Sequence, residues 1–334
     1  MRSCVIAAAL GLLATQLGAQ DLRREDSLAE LLEGISARIP RAASLEVPSP
    51  SPPELEEFVA FFGAMLELDI DRAAGLAEGV GYELAVLDDP RRQAGYLVAT
   101  ERGPDLRGQG TFVVSLDWRR NLIVSVPHPL SDVGTLEEGR SVFEDLGARV
   151  LCVGGSHRSA SSVLSPCTQT QMENRDGGYK VSDTVHSTQN YTFSAHRAAF
   201  ALDDPPYVID LHRNTTESYE VVLSNGVTRK DDGETKVLEL RKLLRESGVR
   251  AVSCNFAGDS GLNLCGTKNV VGRLLNGSPD PCETAADRAS GRFLHVEQSK
   301  EIVERPRRLI TALAAVFPAE PATPEAVKAA EPRR

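Results

Sequence analysis

Residues 121–153, "NLIVSVPHPLSDVGTLEEGRSVFEDLGARVLCV", decide the fold class. "NLIVSV" is a short apolar run that reads as a strand. Thr135 and Glu138 are spaced as a capping box opening the helix "LEEGRSVFEDLG", and "ARVLCVGGS" reads as a buried strand ending in glycines. Strand, helix and strand in this order form the parallel crossover unit, so the chain is expected to build an α/β sheet here.

On the amino-terminal side, "GYELAVL", a "DDP" turn and "GYLVATE" predict a hairpin. "TFVVSLD" and "NLIVSV" predict a second, turning near Trp118 to Asn121. On the carboxyl-terminal side the alternation continues with a helix at "YTFSAHRAAFAL", strands at "PYVIDLH" and "YEVVLS", and a helix at "TKVLELRKLLRESG". Strands at "VRAVSCNF" and "RFLHVEQS" and a closing helix at "RRLITALAAVF" complete it. Residues 81–317 are therefore predicted to form one α/β domain with a mixed, mostly parallel central sheet and helices on both faces.

Residues 20–80 carry two amphipathic patterns joined by the stiff linker "VPSPSPP". In the first, Leu28, Leu31, Leu32, Ile35 and Ile39 share a helical face, and Ser27 and Glu30 are spaced as a capping box. The second runs from Glu54 through Phe58, Phe61, Phe62, Met65 and Leu66, an aromatic stripe read as core. This segment admits three roles: a cover on the sheet, a partner-binding helix pair, or a pro-segment. No internal repeat is present.

The chain begins "MRSCVIAAALGLLATQLGAQ", an arginine, a small apolar core and a small-residue exit, which is the layout of a signal peptide over residues 1–19 cleaved near Ala19. An exported (periplasmic or secreted) protein is expected, and no later stretch offers the roughly 18 uncharged apolar residues of a membrane span. Residues 318–334, rich in Ala, Pro and Glu, read as a disordered tail. Of the cysteines beyond the signal, Cys152 lies in an apolar run and reads as a buried free thiol. Cys167, Cys254, Cys265 and Cys282 can form two bridges, in any of three pairings. The formal charge of −10 disfavours a nucleic-acid partner, and the scattered Lys and Arg form no membrane-surface stripe. A small-molecule or peptide substrate is the partner expected.

Two of the six histidines, His128 and His212, are the polar residues that terminate apolar strands. Ligands of open α/β sheets bind at the carboxyl ends of strands, so the two can face one site. Zinc takes three or four N, O or S donors, and a catalytic zinc leaves one position open. Two imidazoles and one carboxylate supply that set, with Asp132 preferred as the third ligand over Glu137. Glu137 falls in a first helical turn, where an acid also favours the helix dipole. Glu297, an acid inside an apolar strand run, has the right chemistry for a general base.

The order "VPHPLSDVGT", "GGSHRSAS", "DTVHSTQNYTFSAH", "VIDLHRN", "GRFLHVEQS" resembles the zinc carboxypeptidase superfamily, especially its N-formylglutamate amidohydrolase and poly-γ-glutamate hydrolase branches, over roughly residues 110–315. The resemblance implies a mixed-sheet, phosphorylase/hydrolase-like α/β fold and one zinc held by a histidine, a nearby acid and a later histidine. A still later glutamate would act as base. On this chain those positions are His128, Asp132, His212 and Glu297. The familiar first motif has Glu three residues after His, whereas here Asp stands at four. The resemblance also favours Arg158 as a clamp for a substrate carboxylate, and "DTVHSTQN" as a substrate-contacting segment through Asp183, His186 and Asn190. His157 and His196 read as structural, and His295 as core or as support for the site. "GDSGL", residues 258–262, is similar to a serine-protease nucleophile segment, but helices between the strands oppose that fold, and its glycines read as turn residues.

Overall fold

The computed structural model describes residues 22–44, 49–104, 106–168, 178–215, 218–230 and 235–319; the signal segment 1–19 and all but the first two residues of the tail 318–334 lie outside them. In chain order the elements are β1 (Arg23–Glu25), α1 (Leu28–Ser36), α2 (Pro52–Leu66), α3 (Ile70–Ala77), β2 (Tyr82–Asp89), β3 (Ala94–Glu101), β4 (Thr111–Ser115) and β5 (Arg120–Val126). There follow α4 (Thr135–Leu146), β6 (Ala148–Val153), α5 (Tyr191–Phe200), β7 (Tyr207–Arg213), β8 (Val221–Ser224) and α6 (Lys236–Glu246). The chain closes with β9 (Ala251–Ser253), α7 (Val270–Leu275), β10 (Phe293–Gln298), α8 (Lys300–Glu304) and α9 (Arg307–Val316). The short elements β1, α3, α7 and α8 are not signalled by the sequence.

One mixed sheet runs β1-β2-β3-β4-β6-β5-β7-β10-β8-β9. Strands β6, β5, β7 and β10 form a contiguous parallel block, flanked by antiparallel pairings of β4 on β6 and β8 on β10. Helices cover both faces, as expected. On one face Leu28 and Leu32 of α1 join Val142 and Phe143 of α4, Leu240 of α6 and Leu313 of α9. On the other, Phe58, Phe61 and Phe62 of α2 join Ala73 of α3, Tyr191 of α5 and Val271 of α7. The described residues between 22 and 80 thus lie on both faces of the sheet, and β1 pairs in parallel with β2 at its edge.

The local chemistry explains several of these elements. Ser27 accepts the Glu30 amide at 3.3 Å and starts α1. In α2, Glu54 reaches back to the Ser51 amide at 2.8 Å, and Pro52 and Pro53 stand in the first turn, where no N–H is required. The hairpin of β2 and β3 forms with Leu84 opposite Ala99 and Val86 opposite Leu97.

Two expectations are corrected. The predicted hairpin of "TFVVSLD" and "NLIVSV" does not exist, because β6 lies between β4 and β5 and pairs with both. The N–H groups of Arg119 and Arg120 donate to the Gly147 carbonyl at 2.8 and 3.1 Å, docking the start of β6 beside the start of β5. The crossover through α4 takes the place that a hairpin partner would occupy. The predicted capping box of Thr135 and Glu138 is also absent: Gly134, in a left-handed conformation, caps α4, and the Thr135 hydroxyl donates to the Asp132 carbonyl at 2.8 Å. Glu138 is instead buried and accepts from Gln298 Nε2 at 3.0 Å; burial pushes its pKa up to about 8.

The four remaining described cysteines form Cys167–Cys282 and Cys254–Cys265, and Cys152 is free and buried, as its sequence context predicts. The first bridge spans 115 residues, for which loop-closure entropy amounts to about 4–5 kcal/mol in the chain-entropy picture. Among the described residues no helix is long and apolar enough to cross a membrane.

Phe58 stacks on Tyr191 with ring centroids 4.1 Å apart and also touches Phe112 at 5.0 Å and Tyr82 at 5.5 Å, so it ties α2 to α5 and to the sheet. Phe58→Ala is expected to cost about 3–5 kcal/mol, measured as a lower urea midpoint at unchanged slope. A loss below about 1 kcal/mol would show that α2 is not part of the core.

Candidate metal centre

The carboxyl ends of the parallel block converge on one place. His128 lies two residues beyond β5, and Gly154 at the end of β6 packs so closely that any Cβ there would collide with the Pro127 carbonyl. That contact holds the backbone next to His128. On β7, Asp210 and His212 are two apart and so share a face of the sheet; on β10 the same holds for His295 and Glu297. The register pairs Asp210 with His295 and His212 with Glu297. All four side chains lie on the face covered by α5 and α7, since Val208 and Phe293, at the same alternation, pack in that core.

Asp132 sits at the centre. Its Oδ2 lies 3.3 Å from His128 Nδ1 and 3.0 Å from His212 Nδ1, and its Oδ1 accepts from Arg158 Nη2 at 2.6 Å. The outer nitrogen of each histidine meets a buried carboxylate: His128 Nε2 is 2.9 Å from Asp183 Oδ1, and His212 Nε2 is 3.1 Å from Asp210 Oδ2. Asn269 donates to Asp210 at 2.6 Å and caps α7 with its own carbonyl oxygen, so a helix start orients that carboxylate. His128, Asp132 and His212 each offer a donor atom, all within 4.8 Å of one another, and all three residues are buried.

The charges respond to this crowding. Burial works to raise Asp132, but hydrogen bonds and positive charge from His128 and His212 hold its carboxyl far below the usual carboxylate range. Asp183 and Asp210 are likewise held low against burial, by His186 and His128 and by His212 respectively. His212 shows the reverse: burial works to lower it, yet Asp210 and Asp132 hold it well above 6.5. Burial and the neighbouring His212 push His295 down to about 3, and burial raises Glu297.

Of the residues singled out in the sequence, His128, Asp132 and His212 meet directly. Glu297 lies beside them, 3.8 Å from His295 Nε2. Glu137 does not join: its side chain is 72% exposed and pairs with Arg140. Arg158 reaches into the centre, with Nη2 2.7 Å from His128 Nδ1 as well as on Asp132. His186 sits 3.1 Å from Asp183 and stacks on Tyr179 at 3.5 Å between ring centroids. Asn190 caps α5, His196 bonds the Thr192 carbonyl at 2.7 Å within that helix, and His157 accepts the Ser159 amide at 3.1 Å in its loop. In "GDSGL", Asp259 is held by Arg241 at 2.7 and 2.8 Å inside the loop closed by Cys254–Cys265, which fits a turn. Sequence reading passed over Asp210 and Asn269. Asp210 carries a usable signal, since Asp and His two apart in a strand share a face.

The class so defined is an α/β protein with a buried cluster of histidines and aspartates able to hold a metal ion. No protein-family model and no curated protein matches the chain. Among solved structures, the crystal structure of a gene product from Agrobacterium tumefaciens aligns over 65% of this chain and 92% of its own, at 10% identity and a TM-score of 0.35.

The shifted groups predict how stability varies with pH in chelator-treated protein. Asp132, Asp183 and Asp210 are depressed, so their contribution is full above about pH 4 and is lost as pH falls through their lowered values. His212 is raised, so its contribution is full below about pH 6.5 and is lost as pH climbs through its raised value. The urea midpoint should therefore fall as pH drops below about 4 and as it climbs above about 6.5. A midpoint unchanged from pH 6.5 to 9 would contradict the ionised pairing of His212.

Proposed function

We propose that the protein is an exported zinc-dependent hydrolase of an amide or peptide-like bond, acting on a small-molecule or peptide substrate with acidic amino-acid character. One observation carries this reading: each of two histidines has its outer nitrogen on a buried carboxylate and its inner nitrogen turned to the same aspartate. Carboxylate partners of this kind orient metal-ligating imidazoles and raise their basicity. The donor set also fits the ion by charge. Asp132, Asp183 and Asp210 are buried in one cluster with Glu297 beside them, Arg158 donates to Asp132, and buried charges are paired or coordinate metals.

His128, Asp132 and His212 would hold the zinc, and binding would release a proton from His212. The metal would supply a Lewis acid for the scissile carbonyl and an acidified water. Glu297, raised by burial, would accept a proton from that water and pass it to the leaving nitrogen. Arg158, which donates to Asp132 here, would orient a substrate carboxylate, and the stacked His186 and Tyr179 would offer a flat contact beside it. The two disulfides support an exported setting, because such bridges persist in oxidising compartments. The resemblance to the zinc carboxypeptidase superfamily points the same way.

The contact of Arg158 with both His128 and Asp132 favours a second reading, a metal- or ligand-binding relative without turnover. There the guanidinium closes the site, and an acidic ligand is held by Arg158.

Elemental mass spectrometry of the mature protein is expected to find zinc in the wild type and little in His212→Ala; a zinc-free wild type after incubation with the metal would end the hydrolase reading. Glu297→Gln should lower kcat on amides of acidic amino acids about 10²- to 10⁴-fold while zinc content is kept. Unchanged turnover would remove Glu297 from the base role, and zinc binding with no turnover of any such amide would leave the second reading.

A further inference from the structure

His212 stands between two matched pairs of side chains. Its Nδ1 faces Asp132 at 3.0 Å, and the His128 ring lies behind, with centroids 5.1 Å apart. Its Nε2 faces Asp210 at 3.1 Å, and the His295 ring lies behind, at 4.7 Å. In each set the donor atoms fall within 4.8 Å of one another, and every member is buried. We propose that His212 bridges two divalent cations, one beside His128 and Asp132 and a second held by His212 Nε2, Asp210 and His295. The first is the centre described above, so the inference rests on that reading; the second is a separate site.

Three features of the deeper set support a ligand there. His295 is only 5% exposed, and its Nδ1 has no hydrogen-bond partner among the described residues. A buried imidazole nitrogen without a partner is costly, and a cation is the partner that both Asp210 and His295 can take. Second, the ring is fixed in place: Gly266, at φ +62°, packs against it so closely that a Cβ would stand 2.8 Å from Cγ of His295. Asn269 in turn fixes the Asp210 carboxylate at 2.6 Å. Outer contacts of this kind hold ligands in orientation.

The third feature is charge. Asp132, Asp183 and Asp210 are buried with Glu297 beside them, and Arg158 donates to Asp132, so the acids of the cluster outnumber its guanidinium. Divalent cations would offset that excess. Two imidazoles and a carboxylate at each position suit zinc or a neighbouring first-row ion.

The test is metal stoichiometry on the mature chain, stripped with chelator, equilibrated with Zn²⁺ and desalted, for wild type, His295→Ala and His128→Ala. Two zinc per wild-type chain and one in each variant is the result expected. One zinc in wild type and in His295→Ala, with none in His128→Ala, would overturn the second cation and leave the first centre standing. One zinc lost only in His295→Ala would overturn both readings, as would a wild type that binds none. Electron paramagnetic resonance of the Co²⁺-loaded wild type guards against a misfolded variant. Coupled ions bridged by an imidazolate give a weakened signal at two ions per chain, whereas a signal growing in proportion to added Co²⁺, as for isolated ions, would refute the bridge.

Discussion

Burying the ionised Asp132 is the constraint on which the site end of this molecule depends. An isolated carboxylate in the interior costs several kcal/mol even after relaxation, and Asp132 meets that cost with two imidazoles and a guanidinium drawn from three different segments. Each partner brings its own requirement. His128 needs Asp183 from the loop before α5, and His212 needs Asp210 below it on β7, which in turn needs Asn269 at the start of α7. A single buried charge thereby couples β5, β7, the loop after β6 and the start of α7.

The parallel block makes this coupling possible. Four neighbouring strands running the same way bring their carboxyl ends to one edge, and the two-residue alternation then selects which side chains face it. On β7 and β10 this yields two columns, Asp210 with His212 and His295 with Glu297, held in register by the backbone ladder. The Cys167–Cys282 bridge joins the stretch that follows Arg158 to the loop beyond α7, where Arg273 also holds the Pro281 and Cys282 carbonyls at 3.2 and 3.0 Å. These two loops are therefore tied to each other.

His212 is the side chain through which these parts communicate. It touches a carboxylate at each ring nitrogen and an imidazole on each flank. Its charge is felt on both sides: it helps to hold Asp132 and Asp210 down, adds to the burial that lowers His295, and is itself held up by those two aspartates. Such concentrated, mutually dependent charges recur both at functional sites and in structural ion-pair networks.

The elements whose formation is local were legible in the residues themselves. The β2–β3 hairpin, the helices α1, α2, α4, α5, α6 and α9, the strand ends at His128 and His212, and the buried free Cys152 all follow from hydrophobic periodicity and turn chemistry. Tertiary structure decided what depends on partners distant in sequence. Whether "TFVVSLD" pairs with "NLIVSV" turned on a crossover that inserts β6, because strand pairing is set by which edges remain free and not by adjacency. Glu138 left its expected capping role because α4 packs that side of its first turn against β10. That Asp132 and not Glu137 meets the two histidines, the disulfide pairing, and the placing of Asp183, Asp210 and Asn269 behind the histidines were settled by where the backbone carries each side chain. Desolvation then favours arrangements in which buried charges are paired.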